Sequence, residues 1–339
     1  MATLTIGKTT VENGILLAPL EDVTELPFRV ISKRLGADIV YTEFISSDGL
    51  VHDARRSLEK LQLADEERPV AIQIFGGDIE VMKEAALMAE SAGPDFLDIN
   101  CGCWVKNVVA RNSGAALLKD IPAMAAMTKA LVDTVKLPVT VKTRLGWDKN
   151  NIVIVDVAKQ LEQAGASALT VHCRTRDMGH QGNADWSWIP KIKEAVSIPI
   201  ILNGDVTAVE HVKEAFETTG CDAVMIGRGA IGNPFIFRRA KLYLATGVIP
   251  PEPCAEERVT ILLQHLQLSI NHKPERRAIL EFRKFYGGYL RGLYNSAPVK
   301  QDIQQLLSFP EIEDRLHRYL EFLAERMDVL EHPTEDATT

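Results

Sequence analysis

Eight short apolar runs rich in β-branched residues recur along the chain, and each is followed by a longer stretch with helical spacing. The runs are ILLAPL (15–20), ADIVYTEF (37–44), PVAIQIFG (69–76), DFLDIN (95–100), LPVTVKTR (137–144), ALTVHCR (168–174), IPIILNGD (198–205) and DAVMIGRG (222–229). They are mostly continuous rather than alternating, which predicts strands covered on both faces, as in a parallel sheet. The stretches between them, such as DIEVMKEAALMAESAG (78–93) and IPAMAAMTKALVDTV (121–135), predict helices. Glycines at 36, 93, 165 and 220 stop several of these helices. Eight such units in about 240 residues match the size of a TIM barrel. A doubly wound open sheet is the competing architecture, but no GxGxxG follows the first run.

The pattern changes after residue 245. VIPPEPCAEE (248–257) is rich in Pro and Glu and reads as a connector; beyond it the spacing is helical with no strand signal. The expected organisation is α/β: a TIM (β/α)8 barrel over 1–245, a linker over 246–257, a small all-α helical bundle over 258–332 and a frayed tail over 333–339.

Composition adds bounds. The 339 residues are 46% hydrophobic and 25% charged, an ordinary globular balance. The net charge of -8 means that any nucleic-acid contact needs a local basic patch. No apolar run approaches the roughly 20 residues of a membrane span, and the N-terminus lacks a signal pattern. Five sparse cysteines argue against a disulfide framework, so a cytoplasmic location is expected.

In a TIM barrel the working residues lie at the C-terminal ends of the strands. Here those ends carry Pro19 and Leu20, Glu43, Gln73, Asn100, Lys142 and Arg144, His172 and Arg174, Asn203 to Asp205, and Gly227 and Arg228. The NGD and GRG turns after the seventh and eighth runs suit a phosphate, through backbone N–H groups and the Arg228 charge. For either turn alone, a tight loop explains the glycines as well. The other ends suit a flavin ring: Gln73 and Asn100 offer amides, and Lys142 offers positive charge. The bland alternatives are a salt bridge from Lys142 to Glu43 or Asp98, and a core histidine at His172.

Several stretches resemble the tRNA-dihydrouridine synthase family, most closely its bacterial B-type branch. They are LLAPLEDVTELPFR, PVAIQIFGGD, DINCGCWVKNVVARNSGAALLKD, VTVKTRLGWD, LTVHCRTRDMGHQGNADWSWI, IPIILNGDV, DAVMIGRGAIGNPFIF and EFRKFYGGYLRGLYNSAPVKQDI. The match runs in order from about residue 5 to 330. The resemblance implies an FMN enzyme that reduces a tRNA uridine to 5,6-dihydrouridine with NADPH as reductant. It implies FMN contacts at Pro19, Leu20, Glu21, Gln73, Lys142, His172, Asn203, Gly204, Asp205, Gly227 and Arg228. It assigns the acid to Cys103, and substrate contacts are expected at Asn100, Arg144, Arg176, Arg283 and Lys284. The chain departs from the family pattern at Trp104, where proline is usual, at Leu20, where methionine is usual, and at Cys173, where glycine is usual.

The pair Cys101 and Cys103 lacks partners at zinc spacing, and a disulfide two residues apart is strained, so one functional thiol is expected and no metal. Reduction of a uracil C5=C6 bond takes a hydride at C6 and a proton at C5. A thiol with an ordinary pKa near 8.5 keeps its proton at neutral pH and can supply it. Gly102 is expected to allow a sharp turn, and Cys101 is expected to fill core. In the tail, HKPERRAILEFRKFYGGYLRG (272–292) carries Lys273, Arg276, Arg277, Arg283, Lys284 and Arg291 among Phe285, Tyr286 and Tyr289. This basic island suits a tRNA backbone; a solvated helix face with core aromatics is the alternative. A monomer without DNA or membrane partners is expected. The competing functions are an ene reductase or dihydroorotate-type oxidoreductase acting on a small molecule, and a non-catalytic tRNA-binding protein.

Overall fold

A computed structural model describes residues 2–331, the side chains of 327–331 excepted, so the expected tail over 333–339 lies outside the described residues. Two compact units are present: Met1–Ala230 with Pro234–Pro250, and Ile231–Asn233 with Pro251–Thr339.

The first unit opens with a hairpin the apolar pattern did not reveal, β1 (Thr3–Ile6) and β2 (Thr9–Glu12). Its strands are four residues long and threonine-rich, and its turn is Gly-Lys rather than the stronger Asn-Gly signal. Leu4 and Ile6 point into one cluster with Ile39, Tyr41, Phe96, Ala168, Ala223 and Met225. Most of those partners lie near the beginnings of barrel strands, so the hairpin closes the N-terminal end of the barrel.

The barrel strands are β3 (Gly14–Leu17), β4 (Val40–Tyr41) and β5 (Ile45–Ser46), β6 (Val70–Phe75), β7 (Phe96–Asn100), β8 (Val139–Arg144), β9 (Ala168–His172), β10 (Ile200–Asn203) and β11 (Ala223–Ile226). All pair in parallel, in the order β3-β11-β10-β9-β8-β7-β6-β4, with β5 also on β6. The ring closes between β3 and the approach to β4, through Leu17 N–H to Ile39 O at 3.0 Å and Asp38 N–H to Ile15 O at 2.9 Å. The TIM (β/α)8 barrel is therefore the observed architecture. The run 37–44 is the one that breaks in two. There the Thr42 hydroxyl accepts the Gln73 N–H at 3.1 Å, so a side chain takes the place of a ladder carbonyl.

Helices return between the strands, for example Ile79–Ser91, Ile121–Thr134, Ile154–Gln163 and Val209–Thr219. Asp78 and Asp120 cap the first two by accepting first-turn N–H groups, and Gly220 ends the last in the left-handed conformation. The strands are buried on both faces, yet their two faces differ. On β7 the residues Phe96, Asp98 and Asn100 share one face, and Leu97 and Ile99 the other. Continuous burial hid this alternation: helices cover the apolar outer face, while the inner face turns polar toward the strand ends.

In the second unit, helices Ala255–His272, Glu275–Tyr289, Ser296–Ile303 and Phe309–Glu331 follow one another. Thr246 ends the last barrel helix and Ala255 begins the next, so the connector is shorter than the expected 246–257. Phe282, Phe285, Tyr286 and Tyr289 are core, and His265 packs edge-on against Phe282 and Phe285 at 4.6 and 4.7 Å. The aromatics of the basic island are thus not interleaved with its charges at the surface. Helical spacing puts them on the opposite face.

Candidate active site

Strand register arranges the inner-face polar groups in staggered rows. Gln73, Asp98 and Thr140 are neighbours across β6, β7 and β8. Asn100, Lys142 and Thr170 form the next row, and Arg144, His172 and Asn203 the last. Residues spread over 130 positions of sequence therefore meet at one end of the barrel.

Many of these groups are committed to one another. Asp98, fully buried, accepts from Gln73 Nε2 at 2.6 Å and from Thr140 Oγ1 at 2.5 Å. Gln73 Oε1 accepts from Asn100 Nδ2 at 2.9 Å. Asn100 Oδ1 in turn accepts the backbone N–H of Gly102 at 3.0 Å and of Cys103 at 2.9 Å. Arg144, also buried, donates from Nε to Gly102 O at 2.8 Å and from Nη1 to Thr175 O and Gly179 O at 3.1 and 2.9 Å. It ties the loop after β8's neighbour β7 to the loop after β9. Burial pulls its pKa down to about 10.

Other groups have few protein partners or none among the described residues; His172 has one long contact, between its Nε2 and Arg174 Nη1 at 3.4 Å. Among the described residues, Lys142 Nζ makes no hydrogen bond or ion pair, and it reaches neither Glu43 nor Asp98. Burial, and then the Arg144 charge, push its pKa down to about 8. His172 is buried and held neutral by burial and by the cations Arg144, Lys142 and Arg174. At the ends of β10 and β11, the backbone N–H groups of Gly204, Asp205, Gly227 and Arg228 donate to no protein group among the described residues. Gly204 (φ 122°) and Asp205 (φ 58°) both lie at positive φ, and a side chain at 204 would press on His172 Cδ2 at 3.1 Å. A side chain at Gly229 would meet Val206 O at 2.6 Å, so the two turns lie against each other. These N–H groups on adjoining turns, with the exposed Arg228 guanidinium beside them, could hold an anion.

Asp205 would oppose an anion, but its charge is already answered. Arg174 Nη2 lies 2.6 Å from both carboxylate oxygens, Ala184 N–H donates at 2.7 Å and Arg228 Nη2 at 3.3 Å. Arg174 was legible only as a strand end. Its side chain is buried and also donates to Gln181 O and Gly182 O, which organises the loop after β9. Asn203 anchors the same region by donating to Met225 O at 2.9 Å.

The two cysteines separate cleanly. Cys101 continues the outward parity of Leu97 and Ile99 and is fully buried. Cys103 is half-buried beyond the strand. Burial raises its pKa, while the Val105 backbone N–H and the Arg144 charge work against that rise. Gly102 is not at positive φ, so the turn expected there does not rest on a left-handed glycine. Its role is close approach, because a side chain there would meet Thr143 Cα and C at 3.3 Å. Trp104 is exposed, lies over Gly179 and meets His180 edge-on at 5.6 Å. Nothing in the local sequence marks His180.

At the β3 end, Pro19 is buried, Leu20 half-buried and Glu21 exposed. Lys60 Nζ pairs with Glu21 at 2.6 Å and lies 3.6 Å from Glu43. Arg176 stacks its guanidinium 4.5 Å over Trp147, and Lys119 Nζ lies 3.7 Å over the same ring. Within the helical unit, Arg283 is half-buried with Nε unpartnered, and Lys284 is exposed over the Phe285 ring at 5.4 Å. Lys273 and Arg277 both pair with Glu281, at 2.6 and 2.8 Å, which halves the free charge of that turn.

A family model described as dihydrouridine synthase matches residues 16–323. The chain is 39% identical over 312 residues to a probable tRNA-dihydrouridine synthase of Rickettsia bellii, covering 92% of this chain and 96% of that protein. It is 42% identical over 291 residues to tRNA-dihydrouridine synthase B of Pseudomonas putida, covering 86% of each. For the B enzyme of Pseudomonas aeruginosa the identity is 38% over 328 residues, covering 97% and 98%. Among solved structures, TcOYE with pHBA superposes with a TM-score of 0.53 at 14% identity over 74% of this chain and 98% of that one. A histamine dehydrogenase from Rhizobium gives 0.56 at 12% over 78% and 50%. At such identities the likeness is one of fold.

Proposed function

The chain belongs to the dihydrouridine synthase family, and we propose that it reduces a uridine of tRNA to 5,6-dihydrouridine, with FMN as bound cofactor and NADPH as reductant. The observation that carries this reading is a pair of unlike groups at one barrel mouth: Lys142, whose Nζ makes no hydrogen bond or ion pair among the described residues, and the half-buried Cys103 thiol, whose pKa burial raises.

The residues present fit FMN. The free N–H groups of Gly204, Asp205, Gly227 and Arg228, with the Arg228 side chain, suit its phosphate. Lys142 suits the edge of the ring where reduction places negative charge, and His172, held neutral, offers a hydrogen-bonding edge without adding charge. Pro19, Leu20 and Glu21 flank the same end of the barrel. Gln73, also proposed at FMN, is fully buried and bonded to Asp98 and Asn100, with one amide N–H and one lone pair not used by them.

When bound and reduced, FMN supplies a hydride for uracil C6. Cys103 Sγ holds the proton that C5 requires. Because burial raises its pKa, the thiol remains the acid form at neutral pH rather than a nucleophilic thiolate. Arg144 and Asn100 hold the Cys103 loop by its backbone; Arg144 keeps Nη2 for a substrate oxygen, and Arg176 and Trp104 flank the approach. In the helical unit, Arg283 and Lys284 are the cations proposed for the tRNA backbone.

An anaerobic experiment tests the reading. The flavin is reduced with NADPH, unmodified tRNA is added, and flavin reoxidation and dihydrouridine are followed. Wild-type protein should be reoxidised, whereas Cys103→Ala should bind FMN and accept electrons normally but lose about 10²–10⁴-fold in the step with tRNA. Normal turnover in Cys103→Ala removes the acid assignment. Reoxidation by a small enone but by no tRNA overturns the substrate.

A further inference from the structure

Asp98 has no part in the chemistry proposed above, yet it is a fully buried carboxylate inside the barrel. Burial raises its pKa to about 6, against hydrogen bonds from Gln73 and Thr140 and the Lys142 charge. The titratable groups around it are Lys142 on β8, Tyr41 on β4 and Cys101 just past β7. An apolar side chain would fill the place at less cost, as Phe96 does one position below on the same face.

We infer that Asp98 is a positioning residue for the acid-bearing loop: through Gln73 it sets which way round the Asn100 amide lies, and so holds the Asn100 carbonyl under the backbone N–H groups of Gly102 and Cys103. The inference rests on the proposed role of Cys103 only for what the loop does, not for the relay itself.

The relay has a direction fixed at both ends. A carboxylate accepts, and a backbone N–H donates. Between them lie two primary amides, each with one accepting and one donating end. Asp98 Oδ2 draws Gln73 Nε2 to 2.6 Å, which turns Gln73 Oε1 toward Asn100. Asn100 must then offer Nδ2, at 2.9 Å, and its Oδ1 is left for Gly102 and Cys103 at 3.0 and 2.9 Å. Reversing both amides would set oxygen against oxygen at Asp98 and N–H against N–H at the loop. Thr140 holds the second carboxylate oxygen at 2.5 Å, and Thr42 holds the Gln73 backbone at 3.1 Å, so neither end is free to shift. Gln73, Asp98 and Thr140 are all essentially fully buried, so a group that lost its partner could not turn to water instead. Arg144 grips the carbonyl of Gly102 while Asn100 grips the N–H of Cys103, so the Gly102–Cys103 peptide plane is held from two sides.

Two substitutions of similar size separate this role from packing. Asp98→Asn keeps an acceptor for Gln73 Nε2 and turns its own nitrogen to the Thr140 oxygen. Asp98→Leu removes the acceptor and frees Gln73 to rotate. Amide hydrogen exchange, read by mass spectrometry on peptides covering residues 99–105, reports the last link directly. Exchange there should quicken at least about tenfold in Asp98→Leu and stay within about threefold of wild type in Asp98→Asn. The helix Ile121–Thr134 serves as the reference and should be unchanged in both. Equal exchange in all three proteins, equal quickening in both variants, or quickening spread evenly to the reference helix would overturn the inference. Should Asp98→Leu fail to fold, Gln73→Met cuts the relay one link later and is read by the same comparison. Turnover with tRNA separates the two readings. Quickened exchange with unchanged turnover leaves the relay standing and removes Cys103 from the reaction; unchanged exchange removes the relay whatever the turnover.

Discussion

The basic residues of the barrel loops and those of the helical unit look alike in the sequence and behave in opposite ways in the structure. Arg144 and Arg174 are nearly inaccessible, and most of their N–H groups end on backbone carbonyls or on Asp205. Arg276, Arg277 and Lys284 are exposed on a helix whose aromatic residues are turned into the core. A guanidinium presents five donors in a fixed fork, so a buried arginine can gather several loop carbonyls at once. An exposed one can turn those donors to a phosphate, save where an acid already holds them, as Glu281 holds Arg277. The difference teaches that a cation near a binding face is scaffold or contact according to its burial, and that charge counts cannot tell the two apart.

The sharpest way to break this comparison is Arg174→Ala. It strips Asp205 of its closest cation and leaves Gln181 O and Gly182 O without their donor. Breaking a buried pair from one side commonly costs about 3–5 kcal/mol, but Asp205 is a third exposed and keeps Arg228, so about 2–3 kcal/mol is expected by urea unfolding. A loss below about 0.5 kcal/mol, the usual range for a surface change, would put Arg174 with the contact cations instead.

Lys142 is the exception among the barrel cations, since burial gives it no partner. Its pKa in the folded, flavin-free protein is about 8, below the ~10.4 of an unfolded chain. Between those values the unfolded state binds more protons, so stability should rise with pH from about 8 to 10, and the contribution is lost as pH falls through the folded value. Lys142→Met should abolish that rise and stabilise the flavin-free protein at pH 7 by ~1–2 kcal/mol, while weakening FMN binding. Melting curves across pH, with and without FMN, check both parts. A substitution that destabilises the flavin-free protein at neutral pH would mean that Lys142 has found a partner after all.

These cases also mark what the sequence could carry. Strand ends were legible because apolar runs stop abruptly at Asn100, Arg144, His172 and Asn203, and parallel strands bring those ends together whatever the loops do. The hairpin Thr3–Glu12 was not, because its two four-residue strands carry only Leu4, Ile6 and Val11 as apolar residues and give no apolar run. Nor were the commitments of individual side chains. Gln73, Asn100 and Arg144 read as free ligands, yet each is already bonded within the barrel, and the acceptors that hold them are 25 to 42 positions away. Asp98 was visible only as a counter-charge for Lys142. The clue to its role was its place two residues before Asn100, on the same face of β7, but the partner on β6 that gives the clue meaning follows only from register. Trp104 rests on Gly179 through a loop approach that no local pattern encodes.

The smallest expected effect concerns the helical unit and works within it. Arg283 makes no ion pair among the described residues, whereas Arg277 shares Glu281 with Lys273. Each cation that meets an RNA phosphate contributes about 0.7–0.9 to the slope of log affinity against log salt. Replacing Arg283 and Lys284 together by alanine should therefore flatten the slope for tRNA by roughly 1.5, with little change in melting temperature. Arg277→Ala should change it by about half a unit or less, because Glu281 already offsets that charge. Filter binding of unmodified tRNA at several salt concentrations decides between them. Equal slopes in all three proteins would make the basic turn a solvated helix face. A larger change from Arg277 than from the Arg283 and Lys284 pair would mean that the ion pair to Glu281 opens on binding, and that partnering in the free protein is a poor guide to which exposed cations meet RNA.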